Sequence, residues 1–296
     1  MFQIVSFDAG NGPVVGLRDG DDYYDSSTFS SMREIINQWP LAIEKLATAA
    51  QRTAERTPLT GVKLLAPLAE PRNIYITGAN YTDHIEEMSK ALGVQLVEDA
   101  RNKGYPPWFV PKATTSVVGP GAQVQIPPGV ERLDWELELA VIIGREGKDV
   151  PLSEALDYVA GYTVSNDLSA RDRMARDYEA PESALRLDWL RHKSFDGSCP
   201  MGPAITPATL VPDVQNLAIK LWVNDELMQD SNTSLMVYSV ADLVSGLSQQ
   251  ITIKPGDVIL TGTPAGVGTA TQQFLRSGDR VRQSIESIGE FEFTIG

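Results

Sequence analysis

The stretch 133-LDWELELAVIIG-144 decides how this chain is read. Its second half is as apolar as a buried strand, while Asp134, Glu136 and Glu138 recur at every second position of its first half. Alternate residues of a strand point the same way, so Glu136 and Glu138 share one face and Leu137 and Leu139 the other. Like charges this close repel, and an unpaired carboxylate costs several kcal/mol to bury. An exposed strand end would resolve the conflict with water. The immediate continuation into AVIIG, which reads as covered on both faces, argues instead for a cation between the acids. Two strand carboxylates and a third oxygen ligand suit a hard ion, Mg2+ or Mn2+.

The surroundings are those of a globular protein of 296 residues, 42% hydrophobic and 22% charged. No apolar run approaches the length of a membrane span, and the start, MFQIVSFDAGNG, does not read as a signal peptide. The lone Cys199 leaves no internal disulfide and suits a reducing compartment, so a cytoplasmic location is expected. A net charge of −14 disfavours nucleic acid and anionic membrane as partners.

Residues 2–25 read as a short strand and a hairpin around Arg18-Asp19-Gly20-Asp21. A helical segment follows from about Ser31 to Arg56, with Ile36, Trp39, Ile43 and Leu46 on one stripe and Pro40 dividing it. The proline-rich 57-TPLTGVKLLAPLAEPR-72 marks a boundary: 1–66 is a small α/β domain, 67–296 the main domain. The main domain shows strand patterns at 73–77, 122–126, 137–143, 158–164, 218–223, 257–261 and 291–295. Ser239 and Asp242 cap a helix whose buried stripe is Val240, Leu243, Val244 and Leu247. Regular strand–helix alternation is absent, so the fold class expected is α+β, mostly β: a mixed or antiparallel β-roll with peripheral helices.

The chain lacks G-x-G-x-x-G, Walker A, G-x-S-x-G and C-x-x-C patterns. What it offers are acids, histidines and a lysine. Asp167 ends the strand pattern of 161-GYTVSNDLSARD-172 and is a candidate third metal ligand. In 78-GANYTDHIEEM-88, Glu87 follows His84 by three residues on the same helical face. A carboxylate there orients the imidazole as a base for a water or a carbon acid. Lys193, in 192-HKSFDG-197, would neutralise a substrate carboxylate or a developing enolate. Cys199 near His192 raises a thiol nucleophile, but Cys199-Pro200 provides no helix start to lower its pKa.

Taken together and in this order, ITGANYTDHIEEM, SVVGPG, DWELELAVIIGREGKDV, YVAGYTVSNDLSARD, HKSFDGSCPMGP and PGDVILTGTPAGVG resemble the fumarylacetoacetate hydrolase family, from about Arg72 to Gly296. The resemblance implies a mixed β-sandwich roll that forms a homodimer and carries a small variable N-terminal domain. By matching positions it implies Glu136, Glu138 and Asp167 as ligands of Mg2+, Mn2+ or Ca2+. It further implies His84 and Glu87 as the water-activating dyad and Lys193 as the charge-stabilising lysine. Arg171, Lys112 and Thr263 fall at positions that line the substrate site. Asp134 has no matched role and reads as a solvated neighbour.

The activity so implied is metal-dependent hydrolysis of a C–C bond in an acylpyruvate-like or 1,3-dicarbonyl substrate, a small-molecule carboxylate. The same enolate-stabilising parts serve isomerisation, decarboxylation or dehydration of a 2-oxo acid, which stands as the alternative. A non-catalytic carboxylate-binding member is a third reading. One departure bears on the choice: Met174 stands where many members place a glutamine, and a thioether cannot replace an amide's donors.

Overall fold

Leu137–Ile143 is a strand in which all seven residues are buried. Leu137, Leu139, Val141 and Ile143 join one hydrophobic core, while Ala140 and Ile142 join another. From Leu139 onward the run is unbroken by polar residues because the sheet is covered on both sides. Burying each such aliphatic side chain contributes roughly 1.5–3 kcal/mol, so packing anchors this strand from two directions. In the computed structural model, which describes residues 2–10, 12–26 and 28–296, it lies inside an 11-stranded sheet.

Nine of its strands run in the order 22–25, 13–19, 2–8, 199–207, 159–166, 137–143, 257–260, 73–77, 109–112, and two short ones lie off this path, 63–64 paired with 2–8 and 117–118 paired with 199–207. Most neighbours are antiparallel, but Asp257–Leu260 and Asn73–Thr77 are parallel. A second, five-stranded sheet, ordered 226–232, 218–223, 280–285, 289–295, 123–124, packs on one face. Ile219, Leu221, Val281, Phe293 and the helix Val240–Gln250 share the core with Leu139 and Val141. The other face is covered by helices Met32–Asn37 and Trp39–Ala50, through Ile35, Ile36, Trp39 and Leu46. The architecture is the mixed, mostly antiparallel β-roll with peripheral helices that the strand patterns predict.

Local signals operate as expected in several places. Pro40 lies in the first turn of the second helix, where its missing N–H costs nothing, and the helical segment is divided there. Ser239 and Asp242 form a reciprocal capping box. The turn Gly20-Asp21 joins strands in which Asp19 faces Asp22. The N-terminal strands extend the large sheet, Ile4 facing Ile205.

Phe109–Lys112, Cys199–Pro207, Glu226–Asn232 and Arg280–Ile285 fall outside the strand patterns read from the sequence. Glu226–Asn232 is a polar edge strand. Cys199–Pro207, CPMGPAITP, is fully buried and joins the N-terminal strands to Val159–Asn166. Three prolines and a glycine hide it, since proline argues against an interior strand. Its pairing is correspondingly irregular, with a register shift between Tyr162 and Val164 of its neighbour.

The sheet also curls. Phe109–Lys112 is three strands away from Leu137–Ile143, yet the Lys112 Nζ lies 2.8 Å from Asp167 at the end of Val159–Asn166. The chain then returns to pair Val117 with Cys199. This curl gathers residues from distant strands around the acidic end of Leu137–Ile143. Among the described residues, no helix is long and apolar enough to cross a membrane.

Candidate metal centre and cavity

Pairing register places the third acid. Glu138 faces Ser165 and Leu137 faces Asn166 in the antiparallel ladder. One step further, the Asp167 N–H donates to the Glu136 carbonyl at 2.8 Å. Residues that face each other across such a pair share a sheet face, so Asp167 joins Glu136 and Glu138. One oxygen from each of the three lies within 4.8 Å of the others. That spread matches oxygen ligands roughly 2.0–2.6 Å from one hard cation. Asn166 holds the turn, accepting from the Glu136 N–H at 3.1 Å and donating to Gln283 at 2.8 Å.

Three cations pack against the acids. Lys193 donates to Glu136 at 2.5 Å and pairs with Asp167 at 2.7 Å; Arg171 donates to Glu136 at 2.5 Å. Lys112 contacts Asp167 and also donates to the Lys193 carbonyl. Burial pushes the Asp167 carboxyl up, but Lys112 and Lys193 outweigh it and hold it at about 2. Glu136 is likewise raised by burial and brought below the usual carboxylate range by Lys193 and Arg171.

Glu138 differs. Among the described residues no lysine or arginine forms an ion pair with it, and the Gly262 N–H donates to it at 2.6 Å. Burial, then Asp167 and Glu136, push its pKa well above the ordinary value. A buried carboxylate with two acids beside it and no cation of its own is what an oxygen-seeking divalent ion would satisfy. The donor set therefore fits a hard divalent cation.

Asp134 is not the solvated neighbour expected from the sequence. It is fully buried, and accepts from the Gly268 and Thr269 N–H groups at 2.7 and 3.0 Å, where the short helix Gly268–Thr271 begins. It also accepts from the Arg171 Nε at 2.9 Å, so it orients the guanidinium that reaches Glu136. Its place in the alternating acid series was the available signal. Gln229 had none: it is buried, accepts from the Leu137 N–H at 3.0 Å and donates to Thr263 at 2.9 Å, tying the acidic strand to the glycine-rich loop.

His84 lies on the helix Thr82–Leu92. Its Nδ1 is 3.8 Å from Glu87, beyond hydrogen-bond length, and the Glu87 carboxylate instead accepts the Gly266 N–H with both oxygens at 3.0 Å. Gly266 has φ +96°, and a Cβ there would sit 1.9 Å from the Met228 carbonyl oxygen. Only glycine presents that N–H to Glu87.

A cavity of about 140 Å³ brings these parts together. His84, Glu136, Glu138, Asp167, Lys193, Arg171 and Thr263 all line it, along with Met174, His192 and two tryptophans, Trp108 and Trp189. Lys112 and Glu87 do not line it: Lys112 stands behind Asp167, and Glu87 behind His84 in contact with Gly266. Cys199 lies outside it too, and burial raises its thiol to about 11. Iodoacetamide at about pH 8 should leave Cys199 of the folded protein unlabelled and modify it fully in guanidinium. Comparable labelling rates in the two conditions would contradict this burial.

A family model described as Fumarylacetoacetate (FAA) hydrolase C-terminal matches residues 73–296. Human oxaloacetate tautomerase FAHD2B, mitochondrial, is 37% identical over 289 residues, covering 94% of this chain and 86% of that protein. A fumarylacetoacetate hydrolase from psychrophilic Exiguobacterium antarcticum superposes with a TM-score of 0.81 at 30% identity, covering 100% of this chain and 99% of that one. A maleylpyruvate hydrolase from Sphingobium sp. SYK-6, solved with manganese(II) and pyruvate, gives 0.75 at 29% identity, covering 99% and 98%.

Proposed function

The chain belongs to the fumarylacetoacetate hydrolase family, and from that premise we propose that it is a divalent-metal-dependent enzyme that moves a proton between carbon and oxygen of a small 2-oxo acid. The reaction favoured is keto–enol tautomerisation of a 2-oxo dicarboxylate of the oxaloacetate type. Glu136, Glu138 and Asp167 would hold Mg2+ or Mn2+, which when bound supplies a Lewis acid for the substrate's carboxylate and keto oxygens.

The observation that carries this reading is the small shared cavity, with His84 and the three acids on its lining and the side chains of Trp108, Trp189 and Met174 beside them. Removing a proton from carbon needs a base, a cation at the developing oxyanion and little free water. His84 is the base. Lys193 places its ammonium where negative charge develops, and Arg171 holds Glu136 in place. Hydrolysis of a C–C bond would use the same groups, but needs room for an attacking water and for both fragments. It is the reading the family motifs first suggest, and the likeness to a maleylpyruvate hydrolase keeps it as the second.

The test is product identity with the Mn2+-loaded protein. Incubated with oxaloacetate in D2O, it should speed loss of the enol absorbance and deuterium exchange at C3 while the carbon skeleton stays intact. Release of two fragments from acylpyruvates, with no acceleration of exchange in oxaloacetate, would replace this reading by the hydrolytic one.

A further inference from the structure

His192 is fully buried, lines the cavity, and has no hydrogen-bond partner on either ring nitrogen among the described residues. Leaving such a group unsatisfied costs about 1–3 kcal/mol, so an interior polar group in that state needs a partner from outside the chain. The ring is not loosely placed. It packs against Trp189 with ring centroids 5.7 Å apart and planes tilted by 41°, and Trp189 meets Trp108 edge-on at 5.0 Å. Trp108 in turn lies over Gly78, where a Cβ would come within 2.3 Å of the indole. His192 is thus part of a seated aromatic wall and is also the polar group in it. Thr77, whose hydroxyl is similarly unpartnered, lines the same cavity.

Its surroundings define what it would bind. His192 sits beside Lys193 on the helix Trp189–Lys193, and although the three acids line the same cavity, the charges that act most strongly on its ring are those of Lys193 and then Arg171, ahead of Asp167, so its own position favours an anionic group. A carboxylate only accepts hydrogen bonds, and a neutral imidazole has one N–H to give. Neither nitrogen is committed elsewhere, so either tautomer is available.

We propose that His192 recognises the terminal carboxylate of the substrate, the one remote from the 2-oxo group, and so selects 2-oxo dicarboxylates over monocarboxylates. This rests on the 2-oxo acid reading above and specifies its substrate class. The residue determines specificity and is distinct from the base, His84.

L-malate and L-lactate make the matched probes: both carry the 2-hydroxycarboxylate head, neither enolises, and only malate has a second carboxylate. Calorimetry on the Mn2+-loaded full chain should show His192→Phe weakening malate about tenfold, the scale of one charge-assisted hydrogen bond, with lactate unchanged. His192→Gln, which keeps a donor, should recover most of the difference. Melting temperature and Mn2+ affinity should stay at wild-type values; if the phenylalanine does not fold, His192→Leu supplies the apolar arm. Equal losses for both ligands, or none for malate, overturn the assignment. A wild-type protein that binds neither acid overturns the 2-oxo acid reading and this assignment together.

Discussion

Glu138→Gln should abolish Mn2+ binding yet leave the metal-free protein as stable as wild type or more so, whereas Asp167→Asn should lose both metal and stability. The contrast follows from partners. Asp167 pairs with Lys112 and Lys193 in a buried setting, and removing one member of such a pair costs about 3–5 kcal/mol because the other charges stay buried. Glu138 has no such pair, and its neighbours Asp167 and Glu136 oppose its charge. Its neutral isostere relieves that repulsion while removing a ligand, so metal affinity falls by more than about 100-fold. Calorimetry with Mn2+ and thermal melts of the metal-free variants read the two effects separately. Equal destabilisation by both substitutions, or retained affinity in Glu138→Gln, would refute the account.

The same asymmetry gives a pH dependence. With its folded pKa raised above the unfolded value, Glu138 binds more protons in the native than in the unfolded state between those two values. Stability of the metal-free protein therefore declines as pH rises above the ordinary carboxylate range. Glu138→Gln should flatten that decline, and added Mn2+ should reverse it.

His84→Gln should lower kcat for enolisation by about 10²- to 10⁴-fold, the range for loss of a general base, with Mn2+ affinity unchanged. His84 lines the cavity but is not among the three grouped acids, so chemistry and metal binding should separate. Glu87→Gln should cause a smaller loss, because Glu87 acts through His84 and through the Gly266 N–H rather than on substrate. Deuterium exchange at C3 of oxaloacetate is the measurement. A His84→Gln rate within a few-fold of wild type would remove His84 from the reaction, and a parallel loss of Mn2+ would place it in the metal centre instead.

Several parts of this arrangement were legible residue by residue. Strand periodicity alone puts Glu136 and Glu138 on one side of a buried strand, the Ser239–Asp242 box announces a helix start through local hydrogen bonding, and Pro40 marks where the N-terminal helical segment divides. The strand Cys199–Pro207 was hidden, because its prolines contradict the local rule and only neighbouring strands make it a strand. Asp134 was misread for a related reason: whether a carboxylate meets water or two helix N–H groups is set by a segment 134 residues away.

By itself, then, the sequence determined the alternation that places two acids together, the helices and turns, and the motif order that marks the family. Tertiary structure decided the rest. Strand register set Asp167 opposite Glu136, the curl of the sheet carried Lys112 to Asp167, and the packing of Trp189 on Trp108 buried His192 without a partner. Periodicity is a property of neighbouring bonds, whereas desolvation and charge pairing depend on which distant segments arrive at the same place.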